Sequence, residues 1–100
     1  MKESFLVETA ADGRTALERL RTSPHELLIV DLRLPDLDGL SLIRQARRTQ
    51  KDLSVVIITG FPSESAAIAA INLGVNGYLT KPFGPQEVVA VATRALQRPA

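Results

Sequence analysis

The chain alternates between short apolar runs and stretches in which apolar residues recur every three or four positions. Residues 27–30, Leu-Leu-Ile-Val, and 53–58, Leu-Ser-Val-Val-Ile-Ile, are nearly unbroken aliphatic runs. Such runs suit strands covered on both faces, as in parallel sheets flanked by helices. A run at 5–10 that ends at the turn signal Asp12-Gly13, and a short one at 77–80, complete four expected strands. Between them the period is helical. From Arg14 onward Ala16, Leu17 and Leu20 share a face, and the pattern stops at Ser23-Pro24-His25. Over 39–48, Leu40, Leu42, Ile43 and Ala46 lie opposite Arg44, Gln45 and Arg48. Ser63 and Glu64 open a third helix, rich in Ala and Ile, that runs to Leu73 and stops at Gly74. A helix with so little polar surface is either covered on two sides or offers apolar area to a partner. Pro85 begins a fourth helix reaching Arg98, expected to bury Val88, Val89, Ala92 and Leu96.

Strict alternation of strand and helix with short links predicts an α/β fold: a three-layer parallel sheet of about four strands with four helices on its two faces, joined by right-handed crossovers. One hundred residues make a single domain, 1–100. Twelve basic and 11 acidic side chains leave a net charge of +1, so charge demands neither a nucleic-acid nor a membrane partner. The local cluster Arg44, Arg47, Arg48 and Lys51 reads as a solvated helix end complementing its dipole. There is no cysteine, which excludes disulfides and thiolate chemistry. No apolar stretch approaches a membrane span and no signal-peptide core follows Met1, so the chain reads as cytoplasmic.

Three expected strands end on chemically capable side chains: Asp31, Thr59 and Lys81. A parallel sheet lines up its carboxyl ends on one rim, where open α/β sheets carry their chemistry. A carboxylate can attack phosphorus, while an ammonium and a hydroxyl stabilise the oxygens of a transferred group. Gly60, beside Thr59, leaves room for a tetrahedral group. Taken alone, Asp31 reads equally well as a cap for the loop 32–38. Asp36-Leu37-Asp38-Gly39 lacks the later ligands of a calcium loop and reads as a turn. His25 stands alone in a loop and reads as a solvated turn residue.

Several motifs, taken together, resemble the receiver domain of two-component response regulators. They are Asp12-Gly13 with Ala16-Leu17; Asp31 with Leu34-Pro35-Asp36-Leu37-Asp38-Gly39; Ile58-Thr59-Gly60; Gly74; Gly77-Tyr78; and Lys81-Pro82-Phe83. The resemblance covers nearly the whole chain. It implies a flavodoxin-like fold, with Asp31 as phosphoacceptor from a histidine kinase or phosphotransfer protein. Thr59 matches the hydroxyl that bonds the phosphoryl group, Lys81 the ammonium, and Tyr78 the aromatic switch. Magnesium is implied as the cofactor, held in part by Asp31 and the backbone carbonyl of Arg33, and the Lys81-Pro82 bond is implied to be cis.

One part of the pattern is missing. Receiver domains open with a strand that ends in an adjacent acidic pair, followed by a helix, and no two acidic residues are adjacent anywhere in this chain. The strand at 5–9 aligns with the second strand of the family, so the chain reads as truncated at its N-terminus and its metal site as incomplete. Magnesium binding is then expected to be weak or absent and phosphotransfer impaired. The gap also leaves open strand edges, which recruit other chains. Either residues 5–9 pair directly with 27–30, or a homo-oligomer forms through the sheet edge or the 63–73 helix. Two functions follow: a phosphoacceptor signalling domain that is not an enzyme on outside substrates, or a degenerate receiver serving as a protein interaction module. Neither calls for direct nucleic-acid binding.

Overall fold

In the computed structural model, residues 10–34, 36–60 and 63–97 are described. They form helix α1 (Gly13–Thr22), strand β1 (Leu27–Asp31), α2 (Gly39–Thr49), β2 (Ser54–Thr59), α3 (Glu64–Asn72), β3 (Gly77–Thr80) and α4 (Pro85–Leu96). The strand expected at 5–10 lies, apart from Ala10, outside the described residues. The three strands form one parallel sheet in the order β1-β2-β3. Val30 pairs with Ile57, Asp31 with Ile58, and Ile57 in turn with Tyr78. All three strands therefore end on the same rim.

Side chains alternate across a strand, and here the alternation sorts the layers. Val55 and Ile57 join Val30 in a core that also holds Leu20 of α1, Leu42, Ile43 and Ala46 of α2, and Ala70 of α3. Ser54 and Val56 point to the opposite side, toward α4. A Cβ placed on Gly77 would lie 2.8 Å from a methyl of Val91, so glycine lets α4 settle closely on the sheet. The buried Ser54 hydroxyl donates to the carbonyl of Ala95 at 3.1 Å, giving a partner to a carbonyl in the last turn of α4.

The fourth helix departs from the sequence reading. It ends at Leu96, and it buries Ala92 and Ala95, whereas Val89 is 43% exposed. A helix of alanines and valines is apolar on more than one side, so its period does not select the face; the face that meets the sheet also brings Val91 against Gly77.

Two further readings change. Arg47 is not a solvated helix end. Its guanidinium donates to the carbonyls of Leu73 and of Gly74, the latter at 3.0 Å, and reaches Asn76 Oδ1 at 3.4 Å. It thus supplies partners to the C-terminal carbonyls of α3, where Gly74 turns the chain with a φ of +67°. His25 is half-buried, and its backbone is clasped by Gln50, which accepts from the His25 N–H at 3.0 Å and donates to its carbonyl at 2.6 Å.

Because one planar guanidinium serves several carbonyls, an ammonium cannot replace it. Arg47→Ala is expected to lower unfolding free energy by about 2 kcal/mol, read as a shift in the urea midpoint. Arg47→Lys should recover little of that loss.

Candidate functional site

The parallel ladder continues past the strand ends and fixes the backbone on both sides of the rim. The Leu32 N–H donates to the Ile58 carbonyl at 3.3 Å, and the Lys81 N–H donates to the Thr59 carbonyl at 2.8 Å. Lys81 thereby begins its side chain beside Gly60, where a Cβ would meet the lysine stem at 3.5 Å. From there the ammonium crosses the end of β2 and reaches Asp31, with Nζ 2.6 Å from Oδ2. The other carboxylate oxygen, Oδ1, accepts from the backbone N–H of Arg33 at 2.9 Å. Asp31 and Lys81, 50 residues apart, are in direct contact, and the pair is partly open to solvent, with Asp31 27% and Lys81 46% exposed. The bond between Lys81 and Pro82 is cis.

Asp31 is held in its charged form by its neighbours. Its partial burial pushes the carboxyl pKa up, but the Lys81 hydrogen bond, the Arg33 N–H and the charges of both residues pull it down further, and the balance lies below the ordinary value of 3.8. The carboxylate is therefore available as a nucleophile at neutral pH.

Thr59, the last residue of β2, is buried at 1% exposure. By alternation it lies on the side of Val55 and Ile57, while Asp31, next to Val30, lies on the α4 side; the two end neighbouring strands at the same rim but start from opposite faces of the sheet. Tyr78 pairs in register with Ile57 and packs against the same core as α1 to α3; its hydroxyl is buried and has no hydrogen-bond partner among the described residues. Arg33 contributes its N–H to Asp31 and forms an isolated antiparallel bridge with Asp38.

A magnesium ion takes six oxygens in near-octahedral geometry. Among the described residues no group of three metal-capable side chains gathers anywhere. Asp31, which supplies the rim carboxylate among the described residues, already has an ammonium on one oxygen and an N–H on the other. This donor set does not fit magnesium.

Sequence reasoning missed Asp36, which it assigned to a turn. Oδ1 of Asp36 accepts from the Gly13 N–H at 2.8 Å and Oδ2 from the Arg14 N–H at 3.1 Å, joining the loop after Asp31 to the start of α1. No local pattern signals a cap supplied from 23 residues away.

A parallel sheet with helices on both faces and a carboxylate–ammonium pair at the carboxyl ends of its strands defines an α/β domain of the flavodoxin-like class. The sequence matches the response regulator receiver domain family over residues 1–93, and the chain belongs to that family. It is 36% identical over 94 residues to the response regulator MprA of Mycolicibacterium vanbaalenii, an alignment that takes in 94% of this chain and 41% of that protein. The chain thus spans about two fifths of the length of the curated relatives it matches. Among solved structures it resembles a CheY-like receiver domain protein from Methanospirillum hungatei, with a TM-score of 0.84 and 25% identity, covering 89% of this chain and 71% of that one. It also resembles a response regulator from Burkholderia pseudomallei solved with a phosphorylated aspartic acid, calcium ion and citrate, with a TM-score of 0.79 and 30% identity over 96% of this chain and 62% of that one. No helix among the described residues is long and apolar enough to cross a membrane.

A carboxylate whose folded pKa is depressed contributes stability above its unfolded value and loses it as pH falls through the folded value. The stability difference between the wild type and Asp31→Asn, measured from urea midpoints, is therefore expected to shift against the wild type once pH drops below 3.8. It should stay constant between pH 6 and 8 as far as Asp31 determines it, about two or more units above the ordinary carboxylate pKa.

Proposed function

We propose that residues 1–100 form one receiver unit in which Asp31 accepts a phosphoryl group from a histidine kinase or phosphotransfer protein. One observation carries this reading: the Lys81 ammonium sits 2.6 Å from the Asp31 carboxylate at the rim where three parallel strands end. In the transfer an Asp31 oxygen attacks phosphorus, the bond from phosphorus to the histidine nitrogen breaks, and an acyl phosphate remains on the aspartate. Lys81, freed from one carboxylate oxygen, pairs with a phosphoryl oxygen instead, and the Thr59 hydroxyl donates to another. Tyr78 then follows Thr59 along the α3 side, making a change in local charge into a change in packing. The phosphorylated aspartic acid in the Burkholderia pseudomallei relative supports the same role for Asp31. The domain is a signalling acceptor and has no outside substrate to turn over.

Because the described donor set does not fit magnesium, Lys81 is the main charge set against the incoming phosphoryl group, and transfer is slow. A second reading draws on α3, where Ile68 is 51% and Ile71 76% exposed. A degenerate receiver would use that face for protein association, with a second copy of the chain as the simplest partner.

Incubation with acetyl phosphate is expected to add one phosphoryl group by intact mass, and Asp31→Asn is expected to abolish it. Chelating magnesium should change the labelling rate by less than about tenfold, whereas a complete metal site supplies several kcal/mol. An adduct that persists in Asp31→Asn contradicts the acceptor role. No adduct, together with a dimer in light scattering that Ile71→Glu dissolves, favours the second reading.

A further inference from the structure

The loop between Asp31 and α2 is gripped from two sides. Toward α2, the Gly39 N–H donates to the Leu32 carbonyl at 3.3 Å, and Arg33 bridges to Asp38. Toward α1, Asp36 spans the start of the helix. An α-helix leaves the N–H groups of its first turn without intrahelical carbonyls. Here Asp36 takes those of Gly13 and Arg14, and the Asp12 side chain takes that of Thr15 at 2.8 Å; the first intrahelical bond then runs from the Ala16 N–H to the Asp12 carbonyl at 3.2 Å. The contact is tight, since a Cβ on Gly13 would come 2.9 Å from Leu37 Cβ. Asp12 alone would cap an ordinary helix; Asp36 adds a second carboxylate drawn from the loop that follows the acceptor.

We infer that Asp36 is a positioning residue for the acceptor carboxylate. Its two-pronged hold on α1 keeps the 32–38 loop on the course that directs the Arg33 N–H at Asp31 Oδ1, leaving Oδ2 to Lys81. This rests on the proposed role of Asp31 as acceptor. With one donor on each oxygen the carboxylate is fixed in rotation. Without the hold, the loop keeps only its bonds toward α2, the Arg33 N–H loses its aim, and Asp31 is left with the Lys81 ammonium alone. Reaction rates respond strongly to such misplacement of a nucleophile.

The test combines amide hydrogen exchange by NMR on the unphosphorylated chain with labelling by acetyl phosphate, for Asp36→Ala, Asp36→Asn and Asp12→Ala. Asp36→Ala is expected to speed exchange of the Arg33 amide several-fold, along with those of Gly13 and Arg14, while the β2 amides stay unchanged, and to slow labelling about tenfold. Asp36→Asn keeps one acceptor and should restore part of both. Asp12→Ala removes a cap from the same helix end without touching the loop, and should leave Arg33 exchange and labelling at their wild-type values. Unchanged Arg33 exchange in Asp36→Ala, or an equal loss in Asp12→Ala, overturns the inference and reduces Asp36 to a helix cap. A wild-type chain that takes no phosphoryl group overturns the acceptor assignment, and the exchange comparison then decides the hold by itself.

Discussion

Burial of β2 on both faces is the constraint from which the rest follows. Val55, Val56 and Ile57 are each at or below 2% exposure, with helices packed above and below them. A strand covered twice needs neighbours whose connections pass over the sheet, and short helical crossovers allow only parallel partners. Parallel partners bring their carboxyl ends to one rim, and the register then sets Asp31 against Ile58 and Thr59 against Thr80, one residue before Lys81. The Asp31–Lys81 pair is thus a consequence of how the core is closed.

At that rim, electrostatic effects on Asp31 oppose one another. Partial burial disfavours the Asp31 charge, while Lys81 and the Arg33 N–H favour it more strongly. The lysine approaches from a strand end on the far side of β2, so the two charges are held on separate backbones. The helix beside them is the least anchored: of α3 only Ala70 is buried, and the Arg47 bonds grip its C-terminal end from α2.

Much of this was legible in the sequence where local pattern and long-range packing agree. The runs around Val30 and Ile57 named their strands, the face of Leu42, Ile43 and Ala46 named the buried side of α2, and Ser63 caps α3 by accepting from the Ala66 N–H. Asp31 and Lys81 were singled out because each ends a strand, and they meet. What escaped notice depends on distant partners. Asp36 looks like a turn residue until α1 is placed beside it, and Arg47 looks like a solvated arginine until the end of α3 is. Val89 is apolar and reads as buried, yet α4 turns Ala92 and Ala95 inward and sets Val91 against Gly77, a residue of another element.

A double-mutant cycle on Asp31→Asn and Lys81→Met, read from urea unfolding at neutral pH, tests the meeting of the two strand ends most directly. The account predicts that the two substitutions are not additive, with a coupling of about 0.5 kcal/mol, the size of a partly exposed ion pair. Strict additivity would contradict the convergence on which the phosphoacceptor reading stands.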